Sequence, residues 1–259
     1  MGLSRFNEGE WAWVSGASSG IGEAIALRLA SEGVNVALSA RRAENLEAVA
    51  ESIRKQAVES LVLPLDATAP KELSAAAKRI AAEAGRLDIV VPAAGKELLS
   101  PLDAIRPSQW TDLLQLQVTG AFEMVRCSLK LLRKAGARED GQGRVLFVSS
   151  AAAKRGWPGQ SAYAAAKGAQ LAGMRSLAAE TAGAGIRVNA LLPGIVRTAM
   201  QERMFSRMPE ANREEVEASH PLGLGNVEDV AAAAAYLLSY EARWATGAEL
   251  VLDGGLSLG

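Results

Sequence analysis

Short apolar runs without polar alternation recur along the chain, separated by longer segments whose apolar positions fall at helical spacing. Trp11–Ser15 is the first run. A glycine-containing turn and a helical segment over Gly20–Ser31 follow it. Val34–Ala40, Leu61–Leu65, Ile89–Pro92, Arg144–Ser149, Ile186–Leu192 and Glu249–Leu252 repeat the strand pattern. Between them the spacing predicts helices through about Gln56, in the Ala-rich stretch before Ile89, over Ser108 to about Lys134, over Ser161–Ala182 and over Val227–Tyr240. Non-alternating strands rich in β-branched residues and leucine are those buried on both faces. Strands alternating with helices build βαβ units. Right-handed crossovers then give a doubly wound, mostly parallel α/β sheet with helices on both faces and ligands at the carboxyl ends of its strands. Thr198–Gly225 breaks the rhythm: Met200, Met204, Phe205 and Met208 stand among charged residues and read as an inserted helical excursion. With no repeat, low-complexity linker or composition break, the expectation is one domain over residues 1–259, the excursion at about 198–225 serving as a substrate lid.

Composition narrows the function classes. Apolar residues make up 49% and charged residues 22% of the 259, which excludes a disordered chain. A net charge of −1 gives no global electrostatic reason to bind nucleic acid or an anionic membrane. The longest strongly apolar stretch, Val230–Leu238, falls well short of the roughly 20 residues that span a bilayer. The start, MGLSRFNEGEWAW, lacks the apolar run of a signal peptide, so a soluble cytoplasmic protein is expected. One cysteine, Cys127, and one histidine, His220, allow no intrachain disulfide and no multi-His or Cys/His zinc site. No metal is expected.

Two motifs carry candidate chemistry. Ser15-Gly16-Ala17-Ser18-Ser19-Gly20-Ile21-Gly22 follows the first strand and opens the first helix. Glycines there permit a tight turn and close backbone approach, the helix N-terminus offers free N–H groups to a pyrophosphate, and Ser18 and Ser19 add hydroxyls. Tyr163 and Lys167 are four apart in a helical stretch and so share one face. A nearby ammonium lowers the pKa of a phenol, which ordinarily lies near 10, and fits Tyr163 for general acid or base work. Such a pair alone is more often a solvated helix face, so context decides.

The context resembles the short-chain dehydrogenase/reductase family, from about residue 10 to 256. The spacing Gly-x-x-x-Gly-x-Gly, Ser150 at a strand end 13 residues before Tyr163, the Tyr163-x-x-x-Lys167 pair, Pro193-Gly194-Ile195 with Thr198, Thr246-Gly247 and Asp253-Gly254-Gly255 occur in the family's order. The resemblance implies a Rossmann-like sheet of about seven strands. It also implies a hydride exchanged between a nicotinamide cofactor and a small-molecule carbonyl or secondary alcohol. Ser150 would orient the substrate oxygen and Tyr163 would exchange the proton. Lys167 would bind the nicotinamide ribose and lower the Tyr163 pKa. Gly16, Ser18, Ser19, Gly20, Ile21 and Gly22 would hold the pyrophosphate side. Asp66 and Ala67 would lie by the adenine and Ala94 and Gly95 by the adenosine side. Pro193, Gly194 and Ile195 would border the nicotinamide, with Thr198 near the phosphates. Where NAD-dependent relatives carry an acidic residue after the second strand, this chain has Ala40, Arg41 and Arg42, which favours NADP(H) over NAD(H). Relatives associate through the helices of Ser108–Lys134 and Tyr163, implying a homotetramer or homodimer.

Two departures stand out. Pro92-Ala93-Ala94-Gly95 replaces the family's Asn-Asn-Ala-Gly, so the Asn bonds that brace the central sheet are missing. Gln117 stands where a catalytic Asn usually helps hold a water in a relay to Lys and Tyr; it either supports an altered relay or is only a helix residue. His220 reads as structural, Cys127 as packed, and Trp110, Met124 and Leu131 as a core or interface face. Arg197, Arg203 and Arg207 could add recognition of an acidic group. Rival readings are a non-catalytic NADP(H)-binding protein and a dehydratase or epimerase on the same fold. Enoyl-reducing relatives usually space Tyr and Lys more widely, which disfavours C=C reduction.

Overall fold

A computed structural model describes residues 5–139, 141–206 and 208–258. In chain order the elements are β1 (Trp11–Ser15), α1 (Gly20–Ser31), β2 (Asn35–Ala40), α2 (Ala43–Arg54), β3 (Ser60–Pro64), α3 (Pro70–Glu83), β4 (Ile89–Pro92) and α4 (Pro107–Leu114). A π-helical turn (Gln115–Gly120) joins α4 to α5 (Ala121–Gly136). Then come β5 (Gly143–Val148), α6 (Ser161–Thr181), β6 (Ile186–Pro193), α7 (Ala199–Phe205), α8 (Glu210–Ala218), α9 (Val227–Leu238) and β7 (Glu249–Leu252). The strands form one seven-stranded sheet in the order β3-β2-β1-β4-β5-β6-β7, every neighbouring pair parallel. Strand order reverses between β1 and β4, which opens a crevice at their carboxyl ends.

The non-alternating strand sequences are explained by the two cores. Ala12 and Val14 of β1, Ile89 and Val91 of β4, and Leu146 and Val148 of β5 face a layer formed by α1, α2 and α9. Their neighbours Trp11, Trp13, Val90, Val145 and Phe147 face the opposite layer of α3, α5 and α6. Successive side chains point to opposite faces, and both faces are dry, so apolar residues fill adjacent as well as alternate positions.

Element boundaries follow the expectations with local shifts. β2 begins at Asn35 because the Val34 N–H still bonds the Leu29 carbonyl (3.1 Å) and closes α1. The expected Ser108–Lys134 helix is a run of α4, π turn and α5, because apolar periodicity does not register one extra residue in a turn. The excursion contains two helices, α7 and α8; its Arg207 lies outside the described residues. Among the described residues, no helix is long and apolar enough to cross a membrane, and no cluster of three His, Cys, Asp or Glu groups could hold a metal ion.

At the amino ends of the strands lies a buried polar knot. Glu10 and Arg144, both 1% exposed, pair at 2.6 Å, and the Tyr240 hydroxyl donates to Glu10 Oε1 (3.0 Å). Arg187 donates to the Leu237, Ser239 and Ala245 carbonyls. This knot fixes β5 and β6 against the end of α9, on the side of the sheet away from the crevice.

Candidate active site

The β1–α1 turn is shaped for close backbone approach. Gly16 and Gly20 have left-handed φ values of +66° and +63°, which disfavour any side chain. A Cβ on Gly16 would meet Ala93 O and Ala94 N at 2.9 Å, and one on Gly22 would lie 2.4 Å from Gly16 O. The first turn of α1, twelve residues long, therefore faces a cradle that side chains would fill. The Ser19 hydroxyl makes no bond to the helix it caps. It accepts instead from Arg42 Nη2 (3.2 Å), as Ser18 Oγ does at 3.3 Å. Arg42, in the turn between β2 and α2, is thereby drawn over the glycine turn, and Arg41 beside it is exposed. A dinucleotide fits this cradle: free helix N–H groups, two hydroxyls and a guanidinium that has no carboxylate partner among the described residues are an anion-binding set.

Other expected cofactor contacts surround the crevice. Asp66, after β3, accepts at Oδ1 from the Thr68 N–H and hydroxyl (both 2.8 Å), which holds its carboxyl below the usual range. Asp66 thus closes its own turn, and Ala67 packs against the π turn, where a Cβ on Gly120 would lie 2.2 Å from Ala67 O. Thr198 caps α7 through Oγ1 (3.2 Å from Gln201 N), and a Cβ on Gly20 would meet its methyl at 3.5 Å. Ile195 N–H donates to His220 Nε2 (3.3 Å), so His220 Nδ1 carries the proton that Val216 O accepts at 2.8 Å. His220 is a buried tie between α8 and the Pro193-Gly194-Ile195 segment. The missing Asn brace has a replacement: Ser15 Oγ accepts from both Ala93 N and Ala94 N at 3.2 Å, holding the Ala94-Gly95 chain to β1.

Ser150, Tyr163 and Lys167 converge at the carboxyl end of β5. Ser150 caps a short turn, its Oγ accepting from Ala152 N (3.2 Å), and hydrogen-bonds Tyr163. Burial pushes the Tyr163 phenol up, opposed by the Ser150 bond and reinforced by the Glu97 charge. Lys167 is buried beneath it, Nζ 5.7 Å from the Tyr163 ring centroid and donating to Val148 O (2.8 Å). Burial lowers the Lys167 ammonium to about 7. Gln117 is fully buried in the π turn, but its side chain does not reach Lys167: Nε2 donates to Lys96 O (2.8 Å). Its main-chain carbonyl instead accepts from Gln170 Nε2 at 2.6 Å.

Ser150 and Tyr163 open onto a cleft walled by Leu98, Leu99, Trp157, Met200, Met204 and Leu256, with Glu97 and Arg155 as charged members. Arg155 stacks over Trp157 (5.6 Å) and donates to Leu256 O, tying the loop before α6 to the C-terminus. Trp157, Arg155, Leu98 and Gln170 escape sequence reasoning. Only Gln170, a polar residue on the buried face of α6 one turn beyond Lys167, carries a readable signal. Cys127 is half-buried against the α3–α5–α6 core, with its thiol pushed up by burial.

A parallel doubly wound sheet with a glycine cradle at its first crossover and a Ser-Tyr-Lys cluster beside it defines a nucleotide-dependent oxidoreductase. The chain belongs to the short-chain dehydrogenase/reductase family: the family profile described as enoyl-(acyl carrier protein) reductase matches residues 16–257. It is 33% identical over 250 residues to the 3-oxoacyl-(acyl-carrier-protein) reductase FabG of Pseudomonas aeruginosa, covering 96% of this chain and 98% of the relative. The Escherichia coli protein of the same name is 32% identical, with the same coverage. The crystal structure of a 3-ketoacyl-(acyl-carrier-protein) reductase from Brucella melitensis complexed with NADH superposes with a TM-score of 0.88 at 31% identity, covering 96% of this chain and 99% of that one. A short-chain type dehydrogenase/reductase from Mycobacterium marinum gives 0.90 at 28% identity, covering 97% of each chain.

Proposed function

We propose that the protein is an NADP(H)-dependent reductase of apolar ketones, working reversibly on the corresponding secondary alcohols. The observation that carries this reading is that Ser150 and Tyr163 line the apolar cleft, with Lys167 buried beneath Tyr163 and the Arg42-covered cradle beside it. Gly16, Ser18–Gly22 and Thr198 would hold the pyrophosphate side of the cofactor, Arg42 a 2′-phosphate, and Pro193–Ile195 the nicotinamide end. When bound, the cofactor supplies the hydride.

The chain's own residues manage the proton. Ser150 Oγ donates to the substrate oxygen and holds it against Tyr163. Tyr163 Oη gives its proton to that oxygen as the carbonyl becomes an alkoxide, and takes it back in the alcohol direction. Burial keeps the phenol protonated until it is needed. The Lys167 ammonium, held at the Val148 carbonyl, stabilises the phenolate that forms. Because burial lowers Lys167 to about 7, carbonyl reduction is supported while the ammonium is charged and falls as pH rises through that value.

The Leu98, Trp157 and Met204 walls favour an apolar substituent on the ketone. Met side chains on α7 adapt to irregular apolar shapes, which supports residues 198–225 as a lid. Relatives named for 3-oxoacyl carriers make 3-oxoacyl thioesters the first substrates to try. The test is NADPH oxidation and NADP⁺ reduction against 3-oxoacyl thioesters, cyclic ketones, steroids and sugars, with Tyr163→Phe as control. Turnover lost by roughly 10²–10⁴-fold in Tyr163→Phe, with NADPH affinity kept, is expected. Turnover retained in Tyr163→Phe would overturn the reading, and tight NADPH binding without turnover of any panel member would favour a binding protein.

A further inference from the structure

The strongest unassigned feature is a buried amide beneath the Ser-Tyr-Lys cluster. Gln170 lies on α6 one turn beyond Lys167 and is 1% exposed. Its Nε2 donates to the Gln117 carbonyl at 2.6 Å, and its Oε1 accepts from Lys167 Nζ at 3.4 Å. The orientation of this amide is fixed by chemistry: a carbonyl only accepts and an ammonium only donates, so the nitrogen must face Gln117 and the oxygen Lys167. Neutral side chains able to join an acceptor to a cation in this way are few. A methionine of the same length makes neither bond, and a glutamate answers the ammonium but not the carbonyl.

We propose that Gln170 is a positioning residue for Lys167, tying the ammonium to the π turn and favouring its charged form. The inference rests on the functional reading of Tyr163 and Lys167 given above. The resemblance implies a relay in which a residue at the Gln117 position helps hold a water on the way to Lys167 and Tyr163. Here the Gln170 amide joins the Gln117 carbonyl to the Lys167 ammonium, and an amide carries no proton between its two ends. The link therefore orients and stabilises the ammonium without supplying it. It also gives the π turn a purpose, since that turn sets the Gln117 carbonyl opposite Gln170; single π turns inside α-helices frequently mark functional sites.

The electrostatic surroundings are simple. From α6 itself Tyr163 faces Lys167, and from the segment after β4 Glu97 acts on Tyr163. β5 contributes the neutral Val148 carbonyl, Ser149 just after it donates to the Lys167 main-chain carbonyl, and the π turn contributes the neutral Gln117. Among the described residues, burial is the one influence that displaces the Lys167 pKa. Lys167 Nζ donates to the Val148 carbonyl and to Gln170 Oε1, and acceptors of this kind favour the charged form.

The test needs no substrate. Lysine labelled with ¹³C at Cε is followed by NMR through pH 5–11 in the full chain, with the Lys167 resonance assigned by its loss in Lys167→Arg. Gln170→Met, which keeps length and volume, should lower the Lys167 midpoint by about half to one pH unit. Gln170→Glu should raise it by about one unit or more, a roughly tenfold gain in proton affinity. Thermal melting of both variants verifies the fold. A midpoint unmoved in Gln170→Met, or a downward move in both variants, would overturn the proposal. Tyr163→Phe turnover tests the catalytic reading separately, so either can fail while the other stands.

Discussion

Replacing Arg42 with Ala tests how the site reads the adenosine end of its cofactor. The guanidinium stands over the β1–α1 turn, bonded only to the neutral hydroxyls of Ser18 (3.3 Å) and Ser19 (3.2 Å). Among the described residues no carboxylate pairs with it there, so a phosphate ester would gain nearly its whole charge. A hydrogen bond to a charged group is worth about 1.5–3 kcal/mol, or roughly 10- to 150-fold in affinity. Arg42 is exposed, so salt and solvent screening place the effect towards the lower part of that range, about 10- to 50-fold. The serine hydroxyls released by the substitution turn to other partners at little cost. The assay is calorimetric titration with NADPH and with NADH at two salt concentrations. Arg42→Ala should weaken NADPH by about 10- to 50-fold and NADH by less than about 3-fold, with a shallower salt dependence for NADPH. Equal losses for both cofactors would refute the reasoning, because they would mean that Arg42 shapes the turn rather than reading the phosphate.

Three further outcomes follow from the geometry. Gly22→Ala places a methyl 2.4 Å from the Gly16 carbonyl, a backbone atom that cannot rotate away, so calorimetry should find NADPH affinity reduced by more than about tenfold. Glu10→Ala strips the carboxylate from Arg144 while Arg187 remains nearby, and denaturant unfolding should show a loss of about 3–5 kcal/mol. Lys167 has a folded pKa of about 7, below its unfolded value, so the unfolded chain holds the extra proton between about pH 7 and 10.5. Stability should therefore rise with pH across that window relative to Lys167→Met, on the order of a few kcal/mol in total. Parallel unfolding curves for the two proteins would contradict that shift.

The sequence by itself determined much of this protein. Residue periodicity located β1, α1, β4 and β7 to the residue, because these strands read as short apolar runs without alternation and the helices between strands repeat at 3.6. It placed Tyr163 and Lys167 on one face of α6, since a four-residue separation is a local property of any helix. It also marked the glycine turn, where only residues without side chains satisfy the backbone.

What only the tertiary structure decided are contacts between segments whose relative placement no local period encodes. Arg42 reaches Ser18 and Ser19 because β2 lies beside β1. Ser15 braces Ala93 and Ala94 because β4 lies on its other side, which compensates for the asparagines the sequence lacks. Gln117 read either as a relay side chain or as only a helix residue; the π turn directs its amide to Lys96 and its carbonyl to Gln170. The walls of the cleft come from the loop after β4, the loop before α6, α7 and the C-terminus. Burial and hydrogen-bond partners there depend on which elements the sheet order brings together, and that order is set by packing over the whole chain.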